Sequence, residues 1–543
     1  MAIVSLHAIA FANGPWWSAV AAGRDPAAPG TWLFLGCTFV ALVALHFVVL
    51  AGFSNRWTAR PLLAALVLAT AFAAYFMRTY SVMLDPGMLR NVLKTDLHET
   101  RELLSWSMAG WVLGWSAAPL ALLAWVQIEI VPLPRAALQR LGWMAAGLAV
   151  AVLALLPISR DITSLMRNQH ESRYLITPGN YLYSLARNLA TDARGAAQPR
   201  LALGTDAHRD QRMAREARPR VLVMVLGETA RADHFSLFGY PRPTSPQLAS
   251  RGDVVAFRRV TACGTSTEVS VPCMFSRQGR AAYDEALVRR SEGLLDVLVH
   301  AGYDVRWFDN QSGCKGVCSG PGIVSRKLDA SYAPDLCRGE DCYDGILVRA
   351  LRDSLANVER DTVFVLHMIG NHGPAYYRRY PDEFRRFVPD CRNDELRRCS
   401  VREIVNAFDN ALAYTDHVIA GTIEVLEQQA PRVDAAMLYV SDHGESLGEG
   451  GFYLHGLPYA IAPEVQTHVP MVVWASPGFA RATGLDTACL EGLAGEPFSH
   501  DNLFDSMLGA ADVRTRVYRP GLDLFARCRG AAPRGLATAT ATR

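Results

Sequence analysis

Hydrophobic and polar positions divide the chain into two regimes. Five stretches carry no Asp, Glu, Lys or Arg, namely 2–22, 31–53, 61–77, 105–128 and 141–159, and lengths of this order suit helices that cross a bilayer. Asn13, Gly14 and Pro15 interrupt the first, which leaves a cleaved signal peptide as the competing reading. No basic segment precedes it, so it is kept as an uncleaved anchor. From 221 onward short apolar runs take over: VLVMVLG (221–227), DVRWF (304–308), TVFVLHMIG (362–370), AAMLYVS (435–441) and PMVVWA (470–475), alternating with helical stretches such as 281–300, 343–358 and 401–428. Unbroken apolar runs of strand length separated by helices predict an α/β layered domain with buried parallel strands.

The connecting segments have patterns of their own. Residues 85–104 read as an amphipathic helix with Met88, Val92 and Leu97 apolar among charges, either a plain connection or a helix on the membrane surface. Residues 160–190 read as a second amphipathic segment. Residues 191–220, rich in Ala, Gly and Arg (Arg209, Arg212, Arg215, Arg218, Arg220), read as a tether, solvated or held against anionic headgroups. The expected domains are therefore 1–159 in the membrane, 160–220 as bridge and linker, 221–530 as the soluble domain and 531–543 as a disordered tail.

Composition sharpens the division, since only 15 of the Asp, Glu, Lys and Arg residues fall in 1–159 and 91 in the other 384 residues. A formal net charge of +2 excludes the electrostatic footprint of a nucleic-acid binder. With five spans, the loops 54–60 (Arg56, Arg60) and 129–140 (Arg135, Arg140) share one side, and the positive-inside rule places the soluble domain on the other, outside the cytoplasm. Of the 11 cysteines only Cys37 lies in a span, and the rest pair by spacing as 263/273, 314/318, 337/342, 391/399 and 489/528. None of these intervals is a CxxC knuckle, so disulfides in an oxidising compartment are favoured over a zinc cluster.

In α/β sheets ligands collect beyond the carboxyl ends of the strands, so the residues just after each apolar run are the candidates for chemistry. GETARADHFSLFGY (227–240) puts Glu228 there, and SDHGES (441–446) puts Asp442 and His443 there. Taken singly each is more often a cap or a satisfied polar residue, but their shared position favours a site. Between them CGTSTEVSVPC (263–273) brackets small hydroxyl residues with two cysteines ahead of a predicted helix. A single Ser or Thr there serves as an N-cap, whereas a nucleophile there would have helix-end N–H groups for a phosphate and a metal to lower its pKa. HMIGNHGP (367–374) adds His367 and His372, and GFYLHG (451–456) adds His455. Oxygen ligands with imidazole fit zinc in a phosphoryl-transfer site.

Together these segments resemble the membrane-bound phosphoethanolamine transferases that modify lipid A, whose catalytic domain is of the alkaline phosphatase and sulfatase type. The resemblance runs from about 160 to 528 and rests on GETARADHFSLFGY, CGTSTEVSVPCMFS, DNQSGCKGVC, HMIGNHGP, SDHGESLGE, YLHG and SHDNLF; the membrane half matches in layout. It implies a mixed, mostly parallel sheet flanked by helices, a nucleophile at Thr267, and zinc ligands at Glu228, Thr267, Asp442 and His443. Catalytic, substrate or second-metal positions fall on His372, His455, Lys315, Glu445 and Ser312, while position 311 is Gln where some relatives carry Asn. It further implies one tightly bound Zn2+ with room for a second, phosphatidylethanolamine as donor, and a lipid A (lipopolysaccharide) phosphate as acceptor. The enzyme would sit in the bacterial inner membrane with its catalytic domain in the periplasm, and its product would bind polymyxin and other cationic peptides more weakly. Three rivals remain: a sulfatase, against which Cys273-Met274-Phe275-Ser276-Arg277 lacks the proline of Cys-x-Pro-x-Arg; transfer to a core sugar, or of glycerophosphate from phosphatidylglycerol; and a non-catalytic sensor.

Overall fold

The computed structural model describes residues 1–22, 24–95, 100–101, 103–128, 131–168, 170–196, 199–209 and 218–529. The chain forms two compact units, one made of Met1–Leu93 and Thr100–Ala190 with Gly450–Tyr453, the other of most of the chain from Thr191 on. Residues 160–190 lie in the first of these units. The tail 531–543, Arg212 and Arg215 lie outside the described residues.

Among the described residues, four helices are long and apolar enough to cross a membrane: Pro29–Phe53, Ala59–Tyr80, Trp106–Trp125 and Leu133–Arg167. The first of the five expected stretches is not among these four. Ala2–His7 passes into a π turn, Ala8–Ala12, and Gly14–Ala21 begins a separate helix. Pro15 has no N–H with which to continue the first ladder. At the gap, the Asn13 amide donates to the carbonyls of Ala8 (3.0 Å) and Thr177 (2.9 Å) and accepts from the Thr177 N–H (2.7 Å). The last long helix starts before its charge-free stretch and takes Arg135 and Arg140 into its first turns. Leu138, Trp143 and Leu153 on it are 72%, 65% and 66% exposed, a surface that would aggregate in water and is matched in hydrocarbon.

The two amphipathic segments dock differently from their sequence pattern. The first is a shorter helix, Pro86–Lys94, which buries Met88 but leaves Val92 exposed; Leu97 lies outside the described residues. The second includes Gly179–Ala196, whose Asn180, Ser184 and Asn188, spaced by four, are all buried. Their docked face is polar because it donates to main-chain carbonyls: Ser184 Oγ to Leu84 O (2.9 Å), Asn188 Nδ2 to Pro86 O (3.0 Å) and Asn180 Nδ2 to Tyr174 O (2.8 Å).

The second unit is built on an eight-stranded sheet of β1 (Arg220–Gly227), β2 (Val254–Thr261), β3 (Asp304–Asp309), β4 (Ile323–Lys327), β5 (Thr362–His367), β6 (Asp434–Ser441), β7 (His468–Ala475) and β8 (Pro497–Ser499) in the order β8-β2-β7-β6-β1-β5-β3-β4. β6, β1, β5, β3 and β4 are mutually parallel, whereas β7 runs antiparallel to both β6 and β2. β1 and β5 are buried along their whole length, as central parallel strands covered on both faces must be. The predicted 281–300 helix is two, Glu285–Arg290 and Leu294–His300, whereas Val401–Gln428 is one long helix opened by a Ser400/Glu403 capping box.

The described part of the 191–220 tether is fastened down. Arg200 grips Asp296 with two bonds of 2.9 and 2.7 Å, Leu201 N donates to Arg290 O at 2.8 Å, and Arg209 pairs with Asp361. Carboxylates of the second unit thus hold Arg200 and Arg209. Five disulfides join Cys263–Cys273, Cys314–Cys318, Cys337–Cys342, Cys391–Cys399 and Cys489–Cys528, and Cys37 is free.

Candidate active site

The parallel strands point their carboxyl ends at one place. Glu228 follows β1, Asp442 and His443 follow β6, His367 ends β5, and the Gln311–Lys315 loop follows β3. Thr267 opens the helix Thr267–Met274, with Ser266 as its extended N-cap residue. That helix start is clamped from three sides: the Cys263–Cys273 bridge spans it, Thr265 Oγ1 donates to Leu457 O (2.7 Å), and Ser270 Oγ donates to the carbonyl of Asp442.

Glu228, Thr267, Asp442 and His443 converge. Thr267 Oγ1 donates to Glu228 Oε2 at 2.9 Å and stands 3.3 Å from His443 Nε2, which is 3.2 Å from Glu228 Oε1 and 3.5 Å from Asp442 Oδ2. All four are buried. Burial alone would depress His443, but Asp442 and Glu228 outweigh it and raise the imidazole to about 10. Burial and the Glu228 charge push Asp442 up to about 6, whereas burial of Glu228 is outweighed by His443 and its carboxyl falls well below the usual range. The cluster is organised around one positive charge. Glu228 Oε1 and Asp442 Oδ2 are buried without a hydrogen-bond partner, and ligand atoms of Glu228, Asp442 and His443 lie within 4.8 Å of one another, so the donor set fits a metal cation.

Ligand atoms of a second group, His443, Glu445 and His455, likewise lie within 4.8 Å of one another. The His455 ring lies 4.4 Å from that of His443 and 5.5 Å from that of His372. Glu445 accepts from His455 Nδ1 (2.7 Å) and from the Tyr376 hydroxyl (2.6 Å). Lys315 and Ser312 join the site through Gln311: Lys315 Nζ donates to Ser312 Oγ (2.6 Å), Ser312 Oγ to Gln311 Oε1 (2.6 Å), and Gln311 Nε2 to Glu228 Oε2 (3.0 Å).

His367, singled out in the sequence without a role, holds Asp309 at 2.7 Å through Nδ1; Trp307 Nε1 shares that carboxylate at 3.1 Å, and His367 Nε2 is buried with no partner. Asp309, Tyr376 and His500 were not legible as site residues. His500 accepts from the Cys263 N–H (3.0 Å) through Nδ1 and donates to Ser441 O (3.0 Å) through Nε2, tying the Thr267 loop to the Asp442 strand. Its only sequence signal is its place in SHDNLF.

Comparison with known proteins extends these observations over the chain. Residues 220–513 match the family described as Sulfatase, and residues 42–193 match the family described as Phosphoethanolamine transferase EptA/EptB. A phosphoethanolamine transferase EptA of Escherichia coli K12 is 39% identical over 503 residues, covering 92% of this chain and 90% of that protein. The phosphatidylethanolamine transferase Mcr-1 of Escherichia coli is 36% identical over 466 residues, covering 85% of each. The structure of the integral membrane lipooligosaccharide phosphoethanolamine transferase A of Neisseria meningitidis superposes with a TM-score of 0.92 at 34% identity, covering 97% of this chain and 98% of that one.

Proposed function

The chain belongs to the phosphoethanolamine transferase EptA/EptB family, and on that premise we propose that it moves phosphoethanolamine from phosphatidylethanolamine to a phosphate of lipid A by way of Thr267. The observation that carries this reading is the Thr267 hydroxyl, set at a helix start 2.9 Å from Glu228 and 3.3 Å from His443. Glu228, Asp442, His443 and the Thr267 oxygen would hold zinc, which when bound supplies Lewis-acid activation of that oxygen. Thr267 Oγ attacks the donor phosphorus and gives up its proton to a neighbouring carboxylate. The phosphorus–oxygen bond to glycerol breaks, His455 hands a proton to the departing oxygen, and diacylglycerol leaves, while burial lowers His372 to about 3 and keeps it neutral. A lipid A phosphate oxygen then attacks the phosphothreonine phosphorus and Thr267 recovers its proton. Lys315 and the helix N-terminus balance charge on the phosphoryl oxygens.

The same reading places the protein in the bacterial inner membrane with its catalytic unit in the periplasm. Five disulfides support an oxidising compartment. Three of the four long apolar helices, an odd number, lie between Arg56 and the catalytic unit, so with that unit in the periplasm Arg56 and Arg60 fall on the cytoplasmic side. An ammonium group added to a lipid A phosphate lowers surface negative charge and with it the binding of polymyxin-like cations.

Intact mass and peptide mapping after incubation with phosphatidylethanolamine test the proposal. A phosphoethanolamine adduct on Thr267, absent from Thr267→Ala and partial in Thr267→Ser, is expected. An adduct formed only from phosphatidylglycerol would overturn the donor, and none from either lipid on zinc-loaded protein would overturn the mechanism.

A further inference from the structure

Glu445 lies two residues past His443 and is fully buried, as is Tyr376. One carboxylate oxygen accepts from His455 Nδ1 at 2.7 Å and the other from the Tyr376 hydroxyl at 2.6 Å, so both are engaged inside the protein. Gly373 keeps the space for that pairing: a Cβ there would stand 2.7 Å from the Tyr376 oxygen and 2.8 Å from Glu445 Oε1. Burial and the Glu445 charge both push the Tyr376 phenol well above its ordinary value, so it stays a donor. With Nδ1–H committed to Glu445, the open nitrogen of His455 is Nε2, on a ring 4.4 Å from that of the Thr267 neighbour His443. An imidazole oriented through a carboxylate that is itself held by a third group recurs wherever a base must keep one tautomer and one ring plane.

We infer that Tyr376 and Glu445 are positioning residues, a phenol-to-carboxylate-to-imidazole chain that sets His455 so that His455, and not Glu445, meets the phosphoryl group or the departing glyceride oxygen. The inference rests on the proposed transfer reaction and narrows the role of Glu445 within it. A carboxylate that read the donor ammonium directly would need its charge facing the ligand, whereas this one faces two protein donors.

The test is single-turnover formation of the Thr267 adduct by the full-length, zinc-loaded protein in detergent, over a range of phosphatidylethanolamine concentrations, for wild type, Tyr376→Phe, Glu445→Gln and the double variant. Each single change is expected to lower the maximal rate by roughly tenfold while leaving the half-saturating donor concentration unchanged. The double variant should be no slower than the slower single, because the phenol acts only through Glu445. A rise in half-saturating donor with an unchanged rate in Glu445→Gln would overturn the inference in favour of a headgroup contact, and multiplicative losses in the double variant would overturn the chain. Absence of an adduct in wild type would instead sink the transferase reading. The chain is then read without turnover from the hydrogen-bonded Nδ1 proton resonance of His455, assigned by its loss in His455→Asn. It should shift in Tyr376→Phe and move or vanish in Glu445→Gln, and a resonance unchanged in both refutes the inference.

Discussion

At the scale of single residues, Glu228, Asp442 and His443 are held in a buried cluster whose carboxylate oxygens Glu228 Oε1 and Asp442 Oδ2 make no hydrogen bond and face only the His443 imidazole, an arrangement that protein groups alone leave costly. Replacing any of the three with Ala should lower bound zinc, read by elemental analysis, while circular dichroism stays native; full occupancy in all three variants would refute the ligand assignment. His500 makes a different prediction. Burial lowers its pKa to about 3, against about 6.5 for an unfolded histidine. Between those values the unfolded chain binds a proton that the folded chain does not, so stability falls as pH drops from 6.5 toward 3. At pH 5 the loss is roughly 2 kcal/mol. The fall in thermal midpoint between pH 7 and pH 5 should therefore be smaller in His500→Gln than in wild type, and equal falls would refute the attribution to this residue.

At the scale of elements, site geometry depends on how closely backbone segments approach one another. Gly370 has φ +51° just beyond β5, and a Cβ there would lie 2.6 Å from the carbonyl oxygen of Glu228. Gly370→Ala should cost roughly 1–3 kcal/mol through the left-handed backbone and the clash, and should weaken zinc binding at the same time, since the displaced segment carries Glu228. Calorimetry with and without zinc would separate the two effects. The central strands were readable because burial on both faces makes them continuous apolar runs. β2 escaped because its Arg258 and Arg259 break the run and a register shift against Val469 and Met471 breaks the alternation. β4, at the sheet edge, ends in exposed Arg326 and Lys327, which suits an edge and hides a strand.

At the scale of the whole molecule, the Cys489–Cys528 bridge closes the longest of the disulfide loops, a separation of 39 residues, and pins the end of the described chain to the Thr487–Leu493 helix. In the chain-entropy model such a loop is worth up to about 4 kcal/mol, so Cys528→Ser should lower the denaturation midpoint measurably, with the short Cys314–Cys318 bridge costing less when removed. Apolar spans, central strands, cysteine intervals, the bracketed hydroxyl run 263–273 and the Glu228 and Asp442-His443 motifs were visible in the chain because each is written in neighbouring residues, whereas the choice of Thr267 within that run came only from the family resemblance. The partner of Asn13 at Thr177, the polar docking of the 179–196 helix, and the partners of Gln311 and Glu445 were not. Those features join residues far apart, with Asn13 164 positions from Thr177, Gln311 83 from Glu228 and Tyr376 69 from Glu445. A polar side chain's local sequence carries its donors and acceptors but not the folded backbone that brings a distant partner within 3 Å.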